Sequence, residues 1–214
     1  MPPSHPFSTP PGAVEQAISR LKSRFGDRLD VSRPLREQHA HGEALATPLL
    51  PDAVIWPLDK HEVCAVLACC HELGVPVIAF GAGSSLEGHV SAPYGGICLD
   101  MSRMDAVLAV HAEDADCVVQ PGLKREELNA HLKGTGLFFP VDPGANASVG
   151  GMVSTRASGT TTVRYGSMVH NVMALELALA DGRLVRLGTR ARKSSAGFDL
   201  VQHPGNRFTY QGSR

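Results

Sequence analysis

The chain has 214 residues, of which 43% are hydrophobic and 19% charged, with a formal net charge of -1. That length buries a real core in one domain or two small intimate ones. Near-neutral charge and an aromatic share of 5% give no electrostatic footprint for nucleic acid or an anionic membrane, and no base-stacking platform.

The opening residues MPPSHPFSTPPG are Pro-rich, with no basic patch leading into an apolar run, so they read as an arm and not a signal peptide. GAVEQAISRLKSRFG sets Val14, Ala17, Ile18, Leu21 and Phe25 on one helical stripe. VSRPLREQHAHGEALATPLLP shows no period and is expected to be a long irregular arm. Within it, His39 and His41 alternate, which in an extended arm would turn both to one side as a ligand pair. No Asp, Glu or Cys cluster accompanies them, so a packing or solvated role is favoured. DAVIWP is a short strand closed by Pro57. DKHEVCAVLACCHELG is a helix capped by Asp59, with Glu62 at capping-box spacing and Gly74 at its end. Val63, Val66, Leu67 and Cys70 form its apolar face.

The strand VPVIAF then runs into the glycine-rich stretch Phe80 to His89, FGAGSSLEGH. Gly81 and Gly83 fit the first two positions of the dinucleotide fingerprint G-x-G-x-x-G, but Leu86 takes the third. Gly83 and Gly88 have Walker A spacing, but His89 and Val90 follow in place of Lys and Ser/Thr. Two readings stay open at this point. One is a strand-ending turn; the other is a nest of backbone N–H groups for an anion, with Ser84 and Ser85 as short donors.

GICLD, AVLAVH and CVVQPG read as three short strands, and KREELNAHLKG as a short helix with Leu128 and Leu132 inward. GLFFPVDPG is extended by its prolines. ANASVGGMVSTRASGTTTVRYGSM, anchored by Val149, Met152 and Val153, reads as an ordered loop system. It supplies Gly150 and Gly151 for close backbone approach, with hydroxyls at Ser148, Ser154, Thr155 and Ser158. Two donor-rich loops could clamp the ends of a diphosphate. MALELALADGRLVRL is a hairpin signal, with Asp181-Gly182 suited to a type I′ turn. Several adjacent strands have connections too short for a helical crossover, which favours α+β. No apolar run approaches the roughly 18 residues of a membrane span. The cysteines at 64, 69, 70, 98 and 117 lack CxxC spacing and read as reduced, mostly buried small hydrophobes, which suits the cytosol. Arg164 could pair with a carboxylate or a cofactor phosphate, and Arg192 and Lys193 could meet an anionic substrate. Each has a plain surface role as its alternative.

The segments VIAFGAGSSLEGH, FFPVDPGANASVGGMVSTRASGTTTVRYGSM and RARKSSAGFDL, in that order, resemble the FAD-binding domain of FAD-linked D-lactate dehydrogenases. The glycolate oxidase flavoprotein subunit and D-2-hydroxyglutarate dehydrogenase belong to the same wider family, and the domain is the PCMH type shared with vanillyl-alcohol oxidase. The resemblance covers residues from about Arg36 to Leu200. It implies an α+β domain of two subdomains, 36–113 and 114–200, with FAD between them, after an N-terminal arm and helix at 1–35. The loop residues Gly81, Ala82, Gly83, Ser84, Ser85 and Gly88 would wrap the pyrophosphate. Pro143, Gly144, Ser148, Gly151, Ser158, Gly159 and Tyr165 would line the flavin and ribityl region. Some relatives link the flavin through a histidine in the first loop. Here Ser84 and Ser85 stand at the matching stretch and His89 is too far along, so the expectation is noncovalent FAD.

The family activity would be oxidation of a D-2-hydroxy acid such as D-lactate or glycolate to the 2-keto acid, with electrons passing to a cytochrome, a quinone or another acceptor. Location would be cytoplasmic or peripheral to a respiratory membrane. In the family, a substrate-capping domain follows, carrying histidines for a divalent metal and the groups that bind and deprotonate the substrate. Residues 201–214, VQHPGNRFTYQGSR, instead read as unrelated sequence such as a shifted frame produces. The second subdomain is then expected to be incomplete and the cap absent. No catalytic residue or metal ligand is nominated. The alternative function is an inactive fragment that at most binds FAD weakly.

Overall fold

The computed structural model describes residues 9–42, 49–190 and 201. Helix α1 (Ala13–Phe25) buries Ala13, Ala17, Leu21 and Phe25, a four-residue spacing that keeps one face inward. Arg33–Ala40 is a second helix, α2, where an irregular arm is expected. Ser32 enters it in extended conformation and Pro34 sits in its first turn, where a missing N–H costs nothing. Only His39 and Ala40 are buried, so the helix has no apolar period to read. The expected subdomain start at Arg36 falls inside this helix.

The main sheet contains β1 (Leu29–Asp30), β2 (Ala53–Ile55), β3 (Val77–Phe80) and β4 (Ile97–Asp100), in the order β1-β2-β4-β3. β4 runs parallel to both β2 and β3, and β1 pairs antiparallel to β2. Helix α3 (Lys60–Leu73) makes the crossover from β2 to β3. Asp59 Oδ1 accepts from the His61 and Glu62 amides, and Gly74 closes the helix at φ 67°. Ala53, Ile55, Ile97 and Leu99 face α1 and α3 in one core. By strand alternation Val54, Cys98 and Asp100 turn to the opposite face, where α2 lies.

The antiparallel hairpin of β5 (Val107–His111) and β6 (Asp116–Val119) turns through Ala112–Asp114. Helix α4 (Arg125–Leu132) covers it, with Leu123, Leu128 and Leu132 buried against Val107, Val110, Cys117 and Val119. The Gly/Ser/Thr segment is ordered, but it is not simply loop. It contains α5 (Val149–Ser154), α6 (Thr162–Tyr165) and α7 (Met168–Asn171). Val141, Ala147, Met152 and Met168 form a small core that overrides the low helix propensity of its glycines.

Strands β7 (Ala174–Ala178) and β8 (Leu184–Gly188) form the last hairpin. Its turn is not type I′, which requires φ > 0 at both central residues. Gly182 alone is left-handed, at φ 82°, within a Leu179–Arg183 closure, as in a type I turn with a glycine bulge. The hairpin docks on α3, where a β-carbon on Gly182 would meet Ala68 and the Cys64 carbonyl. Among the described residues the two hairpins form separate two-stranded sheets, joined at their ends where Arg190 bonds Asp114 and Asp116.

Candidate functional site

The glycine stretch leaves the main sheet directly from β3. Gly83 and Gly88 sit at φ 67° and 70°, left-handed positions that favour residues without a β-carbon. The Ser91 amide bonds the Gly88 carbonyl at 3.0 Å and closes the loop. Ser85 Oγ lies 2.6 Å from His89 Nδ1 and accepts from the Glu87 amide at 3.4 Å. Among the described residues, the amides of Ala82, Gly83, Ser84 and Ser85 donate to no other group. The loop is thus a run of backbone donors without internal partners, the condition an anion nest requires. Leu86 is 69% exposed.

The second segment reaches the first through Ser148. This buried serine caps α5 by accepting from the Gly151 amide at 3.3 Å. Its Oγ lies where a β-carbon on Gly81 would stand, so the two segments abut at a seam that only glycine permits. Gly150 packs on Pro121, and Gly151 lies beside Ser148 Oγ, each too close for a larger residue without movement. Gly159 lies so close to the Asp142 carbonyl that no β-carbon fits. Its amide donates to Thr162 Oγ1 at 2.8 Å. Gly144, at φ 90°, has open space around it, and its amide bonds Asp142 Oδ1 at 3.0 Å.

Of the expected residues, Gly81, Ser148 and Gly151 come together at the seam. Pro143 and Gly144 precede the seam and Ser158, Gly159 and Tyr165 follow it in the second segment, with Gly144, Ser158 and Tyr165 exposed. Tyr165 meets Phe138 edge to face at 5.3 Å, and Arg164 lies over the Tyr165 ring at 5.2 Å, a cation–π placement. Arg192 and Lys193 lie outside the described residues.

His39 and His41 do not form a ligand pair. His39 is buried in α2 on Asp100, while His41 ends the helix, exposed. Among the described residues no group of three or more His, Cys, Asp or Glu could hold a metal ion. Sequence reasoning missed Asp100, which bonds His39 beneath the root of the glycine loop, and Trp56, whose indole N–H donates to the same carboxylate and whose ring meets His39 edge-on at 5.7 Å. The available signal was a carboxylate ending the apolar strand ICLD. A cavity of about 340 Å³ lined by Asp114, Asp116, Met173 and Arg190 includes no glycine-loop residue. Its carboxylates are already engaged by Arg190 and His111.

The residues present fit a diphosphate: unspent amides on one side, and a seam with no room for side chains on the other. An FAD binding domain model matches residues 51–188. The chain is 45% identical over 202 residues to "Probable D-lactate dehydrogenase, mitochondrial" of Danio rerio, covering 92% of this chain and 41% of that protein. It is 44% identical to "D-lactate dehydrogenase [cytochrome], mitochondrial" of Arabidopsis thaliana, covering 88% of this chain and 34% of that protein. It is 32% identical to "Glycolate oxidase subunit GlcD" of Bacillus subtilis, covering 72% and 33%. The chain therefore spans well under half the length of these curated relatives. Among solved structures, an alkyldihydroxyacetonephosphate synthase superposes with a TM-score of 0.76 at 24% identity, covering 93% of this chain and 37% of that one. The 4-ethylphenol oxidase of Gulosibacter chungangensis gives 0.71 at 24% identity, covering 83% and 35%. These two likenesses concern the fold. Among the described residues no helix is long and apolar enough to cross a membrane.

Proposed function

The chain belongs to the FAD binding domain family, and we propose that it holds FAD noncovalently as the cofactor-binding portion of a D-2-hydroxy-acid dehydrogenase. The observation that supports the site assignment is the seam between Gly81 and Ser148, at the root of the loop whose amides are unspent.

In this reading Gly81, Ala82, Gly83, Ser84, Ser85 and Gly88 hold the pyrophosphate through backbone N–H groups, with the two serine hydroxyls as further donors. Pro143, Gly144, Ser148, Gly151, Ser158, Gly159 and Tyr165 line the flavin and ribityl chain. FAD then lies between the halves 36–113 and 114–200. Ser84 and Ser85 stand where some relatives carry a flavin-linking histidine, and His89 is held by Ser85 Oγ, which supports a noncovalent cofactor.

Bound FAD supplies the two-electron redox chemistry. The part of this chain is to fix the cofactor and exclude water from its phosphates. The substrate is a small D-2-hydroxy acid such as D-lactate or glycolate, with electrons passing to a cytochrome, a quinone or another acceptor. We place the protein in the cytoplasm or on the periphery of a respiratory membrane. The divalent metal and the proton-abstracting base belong to a substrate-capping region outside these residues. A second reading is that the chain alone is inactive and at most binds FAD weakly. It rests on the 41% and 34% spans of the two D-lactate dehydrogenase relatives.

Purified protein titrated with FAD tests the assignment. Stoichiometric quenching of flavin fluorescence, with all flavin released on denaturation, is expected. Protein that stays colourless in excess FAD would overturn the binding site. Flavin that stays with the denatured chain would overturn noncovalent attachment. Dye reduction by D-lactate above the no-protein control would overturn the second reading.

A further inference from the structure

Beneath α2, on the sheet face away from α1 and α3, lies a polar triad that the cofactor site does not use directly. His39 and Asp100 are 4% and 6% exposed. His39 Nδ1 is 2.8 Å from the Leu35 carbonyl oxygen, and Nε2 is 2.8 Å from Asp100 Oδ2. Trp56 Nε1 donates to the same Oδ2 at 2.8 Å, and the Ser102 amide donates to Oδ1 at 2.8 Å. A carbonyl only accepts, so Nδ1 carries a hydrogen. A carboxylate with donors on both oxygens also accepts, so Nε2 carries the second. The His39–Asp100 pair is an imidazolium on a carboxylate, both groups buried. Without the Nε2 proton, a nitrogen lone pair would face a buried anion, and burial makes that contact costly.

The position of the triad is what makes it informative. Asp100 stands opposite Phe80 in the β3–β4 register, and Phe80 is the last residue before the glycine loop. The rings of His39 and Phe80 are 4.6 Å apart. A β-carbon on Gly83 would meet the Phe80 ring at 3.0 Å and the His41 carbonyl at 3.8 Å. A β-carbon on Gly42 would meet Val90 at 3.1 Å and the Ser85 carbonyl at 3.9 Å. The end of α2 and both ends of the glycine loop therefore share one wall, and the ion pair fastens that wall to the sheet.

We infer that His39 is a positioning residue for the glycine loop: paired with Asp100, it pins α2 and the end of β3 so that the loop amides converge on a phosphate. This rests on the reading of that loop as the pyrophosphate cradle. The other charged and titratable groups around the triad do not replace the pair. Arg103 lies over the Trp56 ring at 5.6 Å, Cys98 is buried on β4, and Arg36 donates to the Pro51 carbonyl at 2.6 Å.

The pH dependence follows from the pair. Burial pulls the His39 pKa down, but its bonds to Asp100 and the Leu35 carbonyl and the Asp100 charge outweigh this and raise it above 6.5. Burial pushes Asp100 up, but its bonds to His39 and Ser102 hold it below the ordinary carboxylate value. The two shifts act together: each partner holds the other in its charged form. The contribution of His39 is complete below about pH 6.5 and is lost as pH rises through its higher folded value.

Trp56 is the single tryptophan of the chain, so its emission reads the triad directly. In the wild type, emission should change in one step on the alkaline side of about pH 6.5, and the step should be missing in His39→Gln. At one neutral pH, cleavage after Glu87 by a Glu-specific protease should be about tenfold faster in His39→Gln and in Asp100→Asn, as expected for losing one charge-assisted hydrogen bond. FAD affinity should fall about tenfold in the same variants, and in the wild type it should fall in step with the Trp56 transition. If the variants do not fold, the wild-type emission and affinity profiles decide. Flat Trp56 emission from about pH 6 to about pH 10, or Glu87 cleavage in folded variants at the wild-type rate, would overturn the inference. Failure to bind FAD at any pH, with the emission step and the cleavage difference intact, would overturn the phosphate reading and leave the His39 brace standing.

Discussion

The hydroxyl of Ser148 occupies the space that a β-carbon on Gly81 would need. The same hydroxyl accepts from the Gly151 amide and caps α5. One oxygen thus orders the second segment and defines its approach to the first. No positive φ accompanies Gly81, so glycine stands there for space and not for backbone conformation.

That separation makes the seam testable by a double substitution. Gly81→Ala drives a methyl group into Ser148 Oγ and should cost about 1–3 kcal/mol, the usual range for overpacking. Ser148→Ala removes a helix cap at a cost of about 1 kcal/mol. With both changes the clash partner is gone, so the pair should cost clearly less than the sum of the singles. Urea unfolding of the four proteins measures this. Additive losses would show that Gly81 and Ser148 do not meet.

Two glycines of the second segment should behave in opposite ways. A β-carbon on Gly159 overlaps the Asp142 carbonyl, which is backbone and cannot swing aside. Gly159→Ala should therefore lose several kcal/mol or fail to fold, as large losses follow from overpacking against fixed atoms. Gly144, at φ 90°, has open space, so Gly144→Ala meets only backbone strain of about 1–2 kcal/mol. Thermal melts should rank wild type above Gly144→Ala, with Gly159→Ala far below both.

Where hydrophobic period and end signals coincide, the fold was legible in the residues. α1 and α3 carry both, and so do the apolar strands β2 and β4. The helix α2 was not legible, because its burial rests on His39 and Ala40 and its stabilising partner, Asp100, is 61 positions away. The short helices α5 to α7 were hidden for a similar reason. Their sequence is rich in Gly, Ser and Thr, and only the small core of Val141, Met152 and Met168 makes them helical. The hairpin at Asp181-Gly182 was legible as a hairpin, while its turn type depended on docking against α3. At the site, the crowding of glycines with serine and threonine hydroxyls pointed to both loops. That Gly81 and Ser148 touch required the fold.

Cysteine reactivity offers a probe of the sheet that needs no ligand. Burial pushes the Cys70 thiol up to about 12 and raises Cys98 further still. Both are 1% exposed, Cys98 on the central strand β4. Thiolate is the reactive form, so neither should label in the folded protein. A disulfide-exchange reagent should modify the half-buried Cys64, Cys69 and Cys117 first. Labelling of Cys98 should be slower than in urea by about a thousandfold or more, because it requires global opening. Mass mapping of time points checks the order.

An ion pair between the turn that follows α1 and helix α3 contributes to the acid stability of the first core. Arg28 Nη1 and Nη2 donate to the two carboxylate oxygens of Glu62 at 2.5 Å and 2.7 Å, a forked pair with side chains 21% and 14% exposed. Glu62 also accepts from the Leu58 amide at 2.8 Å, and Arg28 donates to the Trp56 carbonyl at 3.1 Å. The Arg28 bond lowers the Glu62 pKa against the opposing effect of burial, with help from the Leu58 amide. A depressed carboxylate stabilises the fold above its unfolded value of about 4.3, and that contribution is lost as pH falls through the folded value. Glu62→Gln should therefore cost about 2 kcal/mol at neutral pH and much less near pH 2, where the wild type has lost the same interaction. Arg28→Lys keeps the charge but not the fork, so it should lose part of that stability with a similar acid limb. Urea unfolding across pH measures all three proteins. A Glu62→Gln deficit as large at pH 2 as at pH 7 would show that the side chain acts by packing and not by charge.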